Sequence, residues 1–518
     1  MAVKFSPQEF IKRYVNSEIP ARDGTILRAD VYMPPGEGPF PAIVMRSPYM
    51  KSPVVTPHYS QWGKYYASQG FAFVMCDVRG RGDSDGLFHP FFKEVKDGYD
   101  TVEWIASQPW CTGRVGMDGN SYNGHTAWMT AISGAPHLKA FTPSGVPGDL
   151  LHHGSYGLNG IKSLFIALWM FMVSGHSMQI PVEVYGLEKP YEFLPDLLAR
   201  CLQVTPEQIP EVLGFNGRDW IESLEHLEDE PFWEEMNPQG KMRNSQVAGL
   251  HVTGWFDNNL PGTVAGFDLM RSEGAAADDQ YLIIGPWTHA ANVAPVSKVG
   301  NLEFGENAVL NMLDLKASFF KKYLNRESDL VLPAVQLYDM GRMAWYQSQA
   351  YPVVLSQAAY LTSRQVSAER GEGTSYVYDP RNPTPTTSFF KPVDCAAVAA
   401  RPDVARYGSA VQGEALSVSG SVVLDLGLNI SATQADLFAT LCDRFPEGRL
   451  LPLAFTGAKV KAGRIKVEFP RVHHTFNLGH RLEMILQSAA LPLYVPGSQP
   501  VRIEISGDST IQLPTYKG

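Results

Sequence analysis

Short apolar runs alternate with segments of helical period through the first third of the chain. Phe40 to Met45 (FPAIVM) and Phe71 to Val78 (FAFVMCDV) are almost continuously apolar and read as strands buried on both faces. Residues 58–69 (HYSQWGKYYASQ) between them suit a helix. A further strand around Arg114 to Asp118 runs into the turn Gly119-Asn120-Ser121-Tyr122-Asn123-Gly124. Strands separated by helices predict a parallel sheet covered on both faces.

That pattern breaks at about residue 145. Residues 145–240 are rich in long mixed helical segments, and Ile161 to Val173 (IKSLFIALWMFMV) is the most apolar of them. It reads as a helix buried in its own domain, with a lid over an active site as the alternative. Strand signals resume at 247–254 (VAGLHVTG) and 280–284 (QYLII), each followed by polar chemistry. Residues 1–144 and 241–332 are therefore expected to form one discontinuous α/β domain interrupted by a helical insertion at 145–240. From about Pro333 to residue 518 the texture is different. Stretches such as Ser417 to Leu428, Arg464 to Phe469 and Val501 to Ile505 alternate apolar with polar between Gly, Pro and Asp turns. They predict an all-β sandwich or jelly roll.

Composition narrows the class. A chain of 518 residues exceeds one ordinary core, in keeping with two or three domains. It is 44% hydrophobic and 19% charged, the profile of a loop-rich globular enzyme. The net charge of −10, with no basic tract, argues against a nucleic-acid partner, because phosphate binding needs clustered Lys and Arg. Cys76, Cys111, Cys201, Cys395 and Cys442 lie far apart without a CxxC pair, so neither a disulfide framework nor a zinc site is expected. The N-terminal segment lacks an apolar core of signal-peptide length. Leu164 to Val173, the longest apolar run, is too short to span a bilayer as a helix. The expectation is a soluble, cytoplasmic protein without a membrane partner.

The turn at Ser121 carries the first candidate chemistry. A serine between small neighbours on a tight strand-to-helix turn is the arrangement of an α/β-hydrolase nucleophile. The literal G-x-S-x-G pattern would need Gly at position 123, where this chain has Asn; the second Gly falls at Gly124. The helix expected from Tyr122 to Ser133 carries Gly124, Ala127 and Ala131 on roughly one face, which permits close approach to the sheet. Gly-rich serine turns are common, and the motif gains its weight from its partners. In this fold an acid and then a histidine follow the serine, each on a loop after a strand. Gly254-Trp255-Phe256-Asp257 and Gly285-Pro286-Trp287-Thr288-His289 satisfy that order. Ser121 is a poor nucleophile until a base removes its proton. His289 can take that proton and return it to the leaving group, while Asp257 fixes the imidazole tautomer.

Other polar clusters have plainer readings. Asp77, Arg79 and Asp83 form a charged Gly-rich turn after a strand, expected as an ion-pair network bracing that turn rather than a substrate site. His125 lies inside the helix after Ser121 and reads as a packing residue. His152-His153 and His473-His474 are adjacent pairs without an accompanying carboxylate or cysteine motif, so no metal is expected. Asp83-Ser84-Asp85-Gly86 lacks the glutamate of a calcium loop.

Four segments resemble the cocaine-esterase-like and X-Pro dipeptidyl-peptidase-like (peptidase S15) hydrolases: Arg46-Ser47-Pro48-Tyr49, Gly119 to Gly124 with Tyr after the serine, Gly254 to Asp257, and Gly285 to His289. Asp77 to Gly86 and Gly479-His480-Arg481 are similar to that family as well. The resemblance implies an α/β-hydrolase domain with an inserted helical cap at 145–240 and a C-terminal jelly roll at 333–518. It also implies an oxyanion hole formed by the backbone N–H of Tyr122 and the phenol of Tyr49. It further allows a homodimer, although no heptad or interface stripe is visible in the sequence.

The expected function is hydrolysis of an ester or amide bond of a small acyl substrate through an acyl-enzyme on Ser121, without a cofactor. Trp169, Phe165 and Phe171 of the cap, with Phe256 beside Asp257, are expected to line the substrate pocket. An acyltransferase or β-lactam-type acylase would use the same acyl-enzyme with another acceptor. A dipeptidyl-peptidase role requires a fixed anion for the substrate's free amine and ranks below these. A carbohydrate-binding role for the β domain rests on fold analogy alone.

Overall fold

The computed structural model describes residues 10–178, 200–227, 229–238, 240–300, 302–325, 327, 329–386, 388–389 and 391–517. Ten strands form the first sheet: β1 (Lys12–Pro20), β2 (Ile26–Met33), β3 (Phe40–Ser47), β4 (Ala72–Asp77), β5 (Cys111–Asn120), β6 (Leu138–Ser144), β7 (Ala248–Phe256), β8 (Gln280–Thr288), β9 (Val335–Asp339) and β10 (Ala344–Ser348). Their spatial order is β1-β2-β4-β3-β5-β6-β7-β8-β9-β10. From β4 to β9 all neighbours run parallel, and both edges are antiparallel. The central strands β4, β7 and β8 are buried along their full length, which is why they read as unbroken apolar runs.

Helices α1 (Pro57–Ser68), α2 (Glu94–Ala106) and α3 (Tyr122–Ala131) connect the early strands. Every residue of α3 is buried. β1 is exposed along most of its length, so its sequence carries no apolar period to announce it. β9 and β10 lie beyond Pro333, yet they complete the first sheet. The segment expected to be wholly β domain thus supplies the last two strands of the α/β sheet.

Within 145–240, the part at 179–199 lies outside the described residues. The apolar stretch Ile161 to Val173 is not one helix. Ile161–Lys162 pairs with Gly157–Leu158 as a small hairpin, and α4 (Phe165–Met172) follows. α4 is pinned at both ends. The N–H groups of Leu164 and Phe165 donate to the carbonyl of Leu493 in the β-rich domain, at 2.8 and 3.1 Å. The Arg81 guanidinium donates to the carbonyl of Val173, at 2.7 Å.

Strands from Leu355 onward form an eleven-stranded, mainly antiparallel sheet system. The alternating stretches read from the sequence fall in Leu416–Ile430, Gly463–Phe476 and Val501–Ile505. One apolar core crosses the domain border, joining Trp255, Phe256, Phe304 and Tyr338 to Val418 and Phe469. The β-rich domain is thereby packed into the α/β domain. Among the described residues no helix is long and apolar enough to cross a membrane.

Candidate active site

Ser121 stands between β5 and α3 with φ 62° and ψ −127°, a conformation that costs a non-glycine residue roughly 1–3 kcal/mol. The surroundings hold it there. Its N–H donates to the carbonyl of Ser144 at the end of β6, and its carbonyl accepts from the N–H of His125, both at 2.9 Å. The two flanking glycines are sterically required. A Cβ on Gly119 would meet the backbone of Asn123 at 2.2 Å, and one on Gly124 would meet Val146 Cγ2 at 2.6 Å. Asn123 fits at the position the literal motif gives to glycine, because its side chain turns aside and donates to the Tyr59 hydroxyl at 2.9 Å.

Asp257 and His289 follow the adjacent parallel strands β7 and β8. His289 Nδ1 lies 2.9 Å from Asp257 Oδ1. The carboxylate is fully buried, and it accepts further bonds from the Asn259 N–H at 2.8 Å, the Asn292 amide and the Thr253 hydroxyl at 3.4 Å. Those donors offset the cost of burying its charge. Gly145, at φ +50°, closes the pair from behind. A Cβ there would stand 2.4 Å from Asp257 Oδ2 and 3.0 Å from His289 Nδ1. Gly145, Thr253, Asn259 and Asn292 carry no sequence signal that marks them as supports, since each is an ordinary residue until the sheet places it.

Ser121 and His289 line one cavity of about 510 Å³. Tyr49 and Tyr122 line it too, as do Phe165, Trp169 and Met172 of the cap segment and Trp62 of α1. Tyr122 is the first residue of α3, so its N–H belongs to the unpaired first turn of a helix. Its hydroxyl donates to Glu94 Oε1 and accepts from the Phe91 N–H, both at 2.8 Å. Burial pushes the Glu94 carboxyl above its ordinary range, and Arg46 Nη1 lies 2.7 Å from the other oxygen. The Tyr49 phenol accepts from the Trp169 indole N–H at 3.2 Å.

The expected substrate-lining residues divide. Phe165 and Trp169, four apart on α4, share the face toward the cavity. Phe171 does not line it; it lies on another face of the helix, with its ring 6.5 Å from Phe215. Phe256 is also a correction. It is buried against Phe304, ring centroids 5.9 Å apart, and borders a separate cavity of about 720 Å³ between the domains. His58 and Gln61, which the sequence reading passed over, do line the Ser121 cavity. Burial lowers the pKa of His58.

The charged turn after β4 is an ion-pair network. Lys51 bonds Asp77 at 3.1 Å and also pairs with Asp83, while Arg79 reaches Asp97 at 2.6 Å and Asp23 at 3.0 Å. The Lys51 N–H donates to Asp77 at 2.6 Å, which ties the turn to the loop carrying Tyr49. His125 is buried, its ring edge-on to Phe91. His474 pairs with Asp443 at 3.0 Å, and His473 lies 3.0 Å from the Ser419 hydroxyl. Among the described residues a His–carboxylate cluster that the sequence did not suggest lies at the edge of the cap segment. His89 lies 3.4 Å from Asp219 and 3.0 Å from Glu222, with Arg218 on Asp219, and it joins the loop after β4 to the cap.

Comparison with known proteins gives the family. A family model described as X-Pro dipeptidyl-peptidase (S15 family) matches residues 23–291. A second, the X-Pro dipeptidyl-peptidase C-terminal non-catalytic domain, matches residues 331–515 and so takes in β9 and β10. The cocaine esterase of Rhodococcus sp. (strain MB1 Bresler) is 28% identical over 534 residues, covering 92% of this chain and 91% of its own. An α-amino acid ester hydrolase of known structure superposes with a TM-score of 0.84 at 21% identity, covering 99% of this chain and 98% of its own. An aminopeptidase from the marine sediment archaeon Thaumarchaeota archaeon gives 0.85 at 21%, covering 100% and 98%. The two structures share the fold. With the S15 model spanning more than half of the sequence, the chain belongs to the X-Pro dipeptidyl-peptidase (S15) family of serine hydrolases.

Proposed function

We propose that the protein hydrolyses an ester or amide bond of a small, largely apolar acyl substrate through an acyl-enzyme on Ser121. One observation carries the reading: the strained serine shares a cavity with His289, whose Nδ1 is held by a buried, fully bonded Asp257. His289 accepts the Ser121 proton as the hydroxyl oxygen attacks the substrate carbonyl, and the imidazolium is stabilised by Asp257. The Tyr122 N–H and the Tyr49 O–H donate to the developing oxyanion. Collapse releases the leaving group with the proton from His289. Water then attacks the acyl-enzyme by the same steps in reverse.

Aromatic and aliphatic walls favour an apolar acyl or aryl group, and the described walls offer no carboxylate to a free amine. That weighs against dipeptidyl-peptidase use. We read the β-rich domain as a jelly roll that helps hold the cap. The five buried, unbridged cysteines suit a reducing cytoplasm.

Labelling with a fluorophosphonate, followed by peptide mass mapping, is expected to give a single adduct on Ser121. Ser121→Ala is expected to abolish both labelling and hydrolysis of p-nitrophenyl butyrate. Retention of hydrolysis by the folded variant overturns the mechanism.

A further inference from the structure

Trp169 touches both tyrosines of the oxyanion hole proposed above. Its indole N–H donates to the Tyr49 phenol oxygen at 3.2 Å. Its ring lies against Tyr122, with centroids 5.6 Å apart and planes inclined by 19°. Phe91 packs on both rings, 4.8 Å from Tyr122 and 5.7 Å from Trp169. Trp169 is only 5% exposed, so it is a fixed part of the wall.

We infer that Trp169 is a positioning residue of the oxyanion hole, acting through the Tyr49 phenol, and not only an apolar wall for substrate. The inference rests on the acyl-enzyme reading given above. A phenolic hydrogen prefers the plane of its ring, which leaves it two orientations. A donor held against one side of the oxygen drives the hydrogen to the other. An accepted hydrogen bond also polarises the O–H and strengthens it as a donor. The indole N–H supplies both effects, and its ring stack on Tyr122 holds the second oxyanion donor in register with the first. α4 carries this group into place. Leu493 bonds the start of the helix and Arg81 bonds its end, so Trp169 is held by contacts that begin in two other parts of the molecule.

The inference predicts a specific kinetic split. Removing the indole N–H while keeping an aromatic ring, as Trp169→Phe, should lower kcat for p-nitrophenyl butyrate about fivefold to tenfold with KM within twofold of wild type. In a Tyr49→Phe background the same change should cost no more than about twofold further, because the N–H then has no phenol to orient. Replacement by β-(3-benzothienyl)alanine, which keeps the bicyclic shape and lacks the N–H, should reproduce the kcat loss; it also serves if the Phe variant fails to fold. Unchanged kcat in the benzothienyl protein overturns the inference. So does a loss that appears in KM alone, or one that adds in full to Tyr49→Phe. Failure of the acyl-enzyme reading is distinguishable, because it would show as wild-type protein without a Ser121 adduct.

Discussion

The two halves of the site are built at different ranges. Asp257 and His289 end neighbouring parallel strands, and Gly145, Thr253, Asn259 and Asn292 hold them from the same sheet edge. That half is local. The proposed oxyanion half draws Tyr49 from the loop after β3, Tyr122 from α3, Phe91 from a second loop and Trp169 from α4. Arg81 links the Tyr49 loop to α4, donating to the carbonyls of Pro48 and Val173, each at 2.7 Å. The β-rich domain adds the Leu493 bond to the start of α4. On the proposed mechanism a base and its acid are therefore set by one sheet, whereas the proposed oxyanion donors depend on contacts from several parts of the molecule.

The sharpest difference lies in the size of the effect. On the proposed mechanism, Asp257→Asn should lower kcat by about 10⁴ while leaving the circular dichroism spectrum unchanged, because an amide favours the wrong His289 tautomer. Tyr49→Phe should cost about 10², the loss of one oxyanion donor. If the Tyr49 variant lost more than the Asp257 variant, the oxyanion half would be the dominant one and the comparison would invert.

A remote change tests the dependence on range. Arg81 is buried, and burial lowers its pKa to about 10. Arg81→Met removes the bonds joining the Tyr49 loop to α4. Turnover of p-nitrophenyl butyrate should fall about tenfold, as expected for one or two charge-assisted bonds. The rate of fluorophosphonate labelling should fall in parallel, since it uses the same oxyanion donors. An Arg81→Met enzyme with wild-type kcat sinks the claim that remote contacts set this half.

The same difference of range decided what the sequence disclosed. Ser121, Asp257 and His289 follow one another in the order their fold requires, each after an apolar run, so pattern and spacing were enough to single them out. The structure brings Ser121 and His289 to one cavity and Asp257 onto His289. The role proposed for Tyr49 rests only on the resemblance, because an aromatic after a strand carries no local mark of a hydrogen-bond donor to substrate. Periodicity also says nothing about which sheet a strand joins, and β9 and β10 were grouped with the wrong neighbours for that reason. In Ile161 to Val173 an apolar run could not distinguish a two-residue hairpin strand from the helix after it. Phe256 and Phe171 failed as pocket residues through direction rather than position. Successive strand residues face opposite sides, and Phe171 lies two positions from Trp169 on a helix.

One property should be common to both halves. His125 packs under the oxyanion side, its ring edge-on to Phe91, and His251 lies near the start of β7, the strand that leads to Asp257, with its ring 3.0 Å from the Gln280 amide oxygen; neither lines the cavity. Burial lowers the imidazole pKa to about 3 for His125 and about 4 for His251, against 6.5 in an unfolded chain. Both rings are therefore neutral in the native protein at pH 5, while the unfolded chain has taken up a proton on each. Their contribution to stability is complete above pH 6.5 and is lost as pH falls toward their folded pKa values. Between pH 6.5 and 5 each group removes roughly 2 kcal/mol, from about 1.4 kcal/mol per pH unit for one proton. His125→Leu should shrink the drop in urea-unfolding free energy between pH 7 and pH 5 by about that amount, whatever it does to stability at pH 7. The same shrinkage is expected for His251→Leu. A variant that loses stability on acidification as steeply as wild type would mean that its histidine is not held neutral. The two halves would then differ in their electrostatics as well as in the range of their contacts.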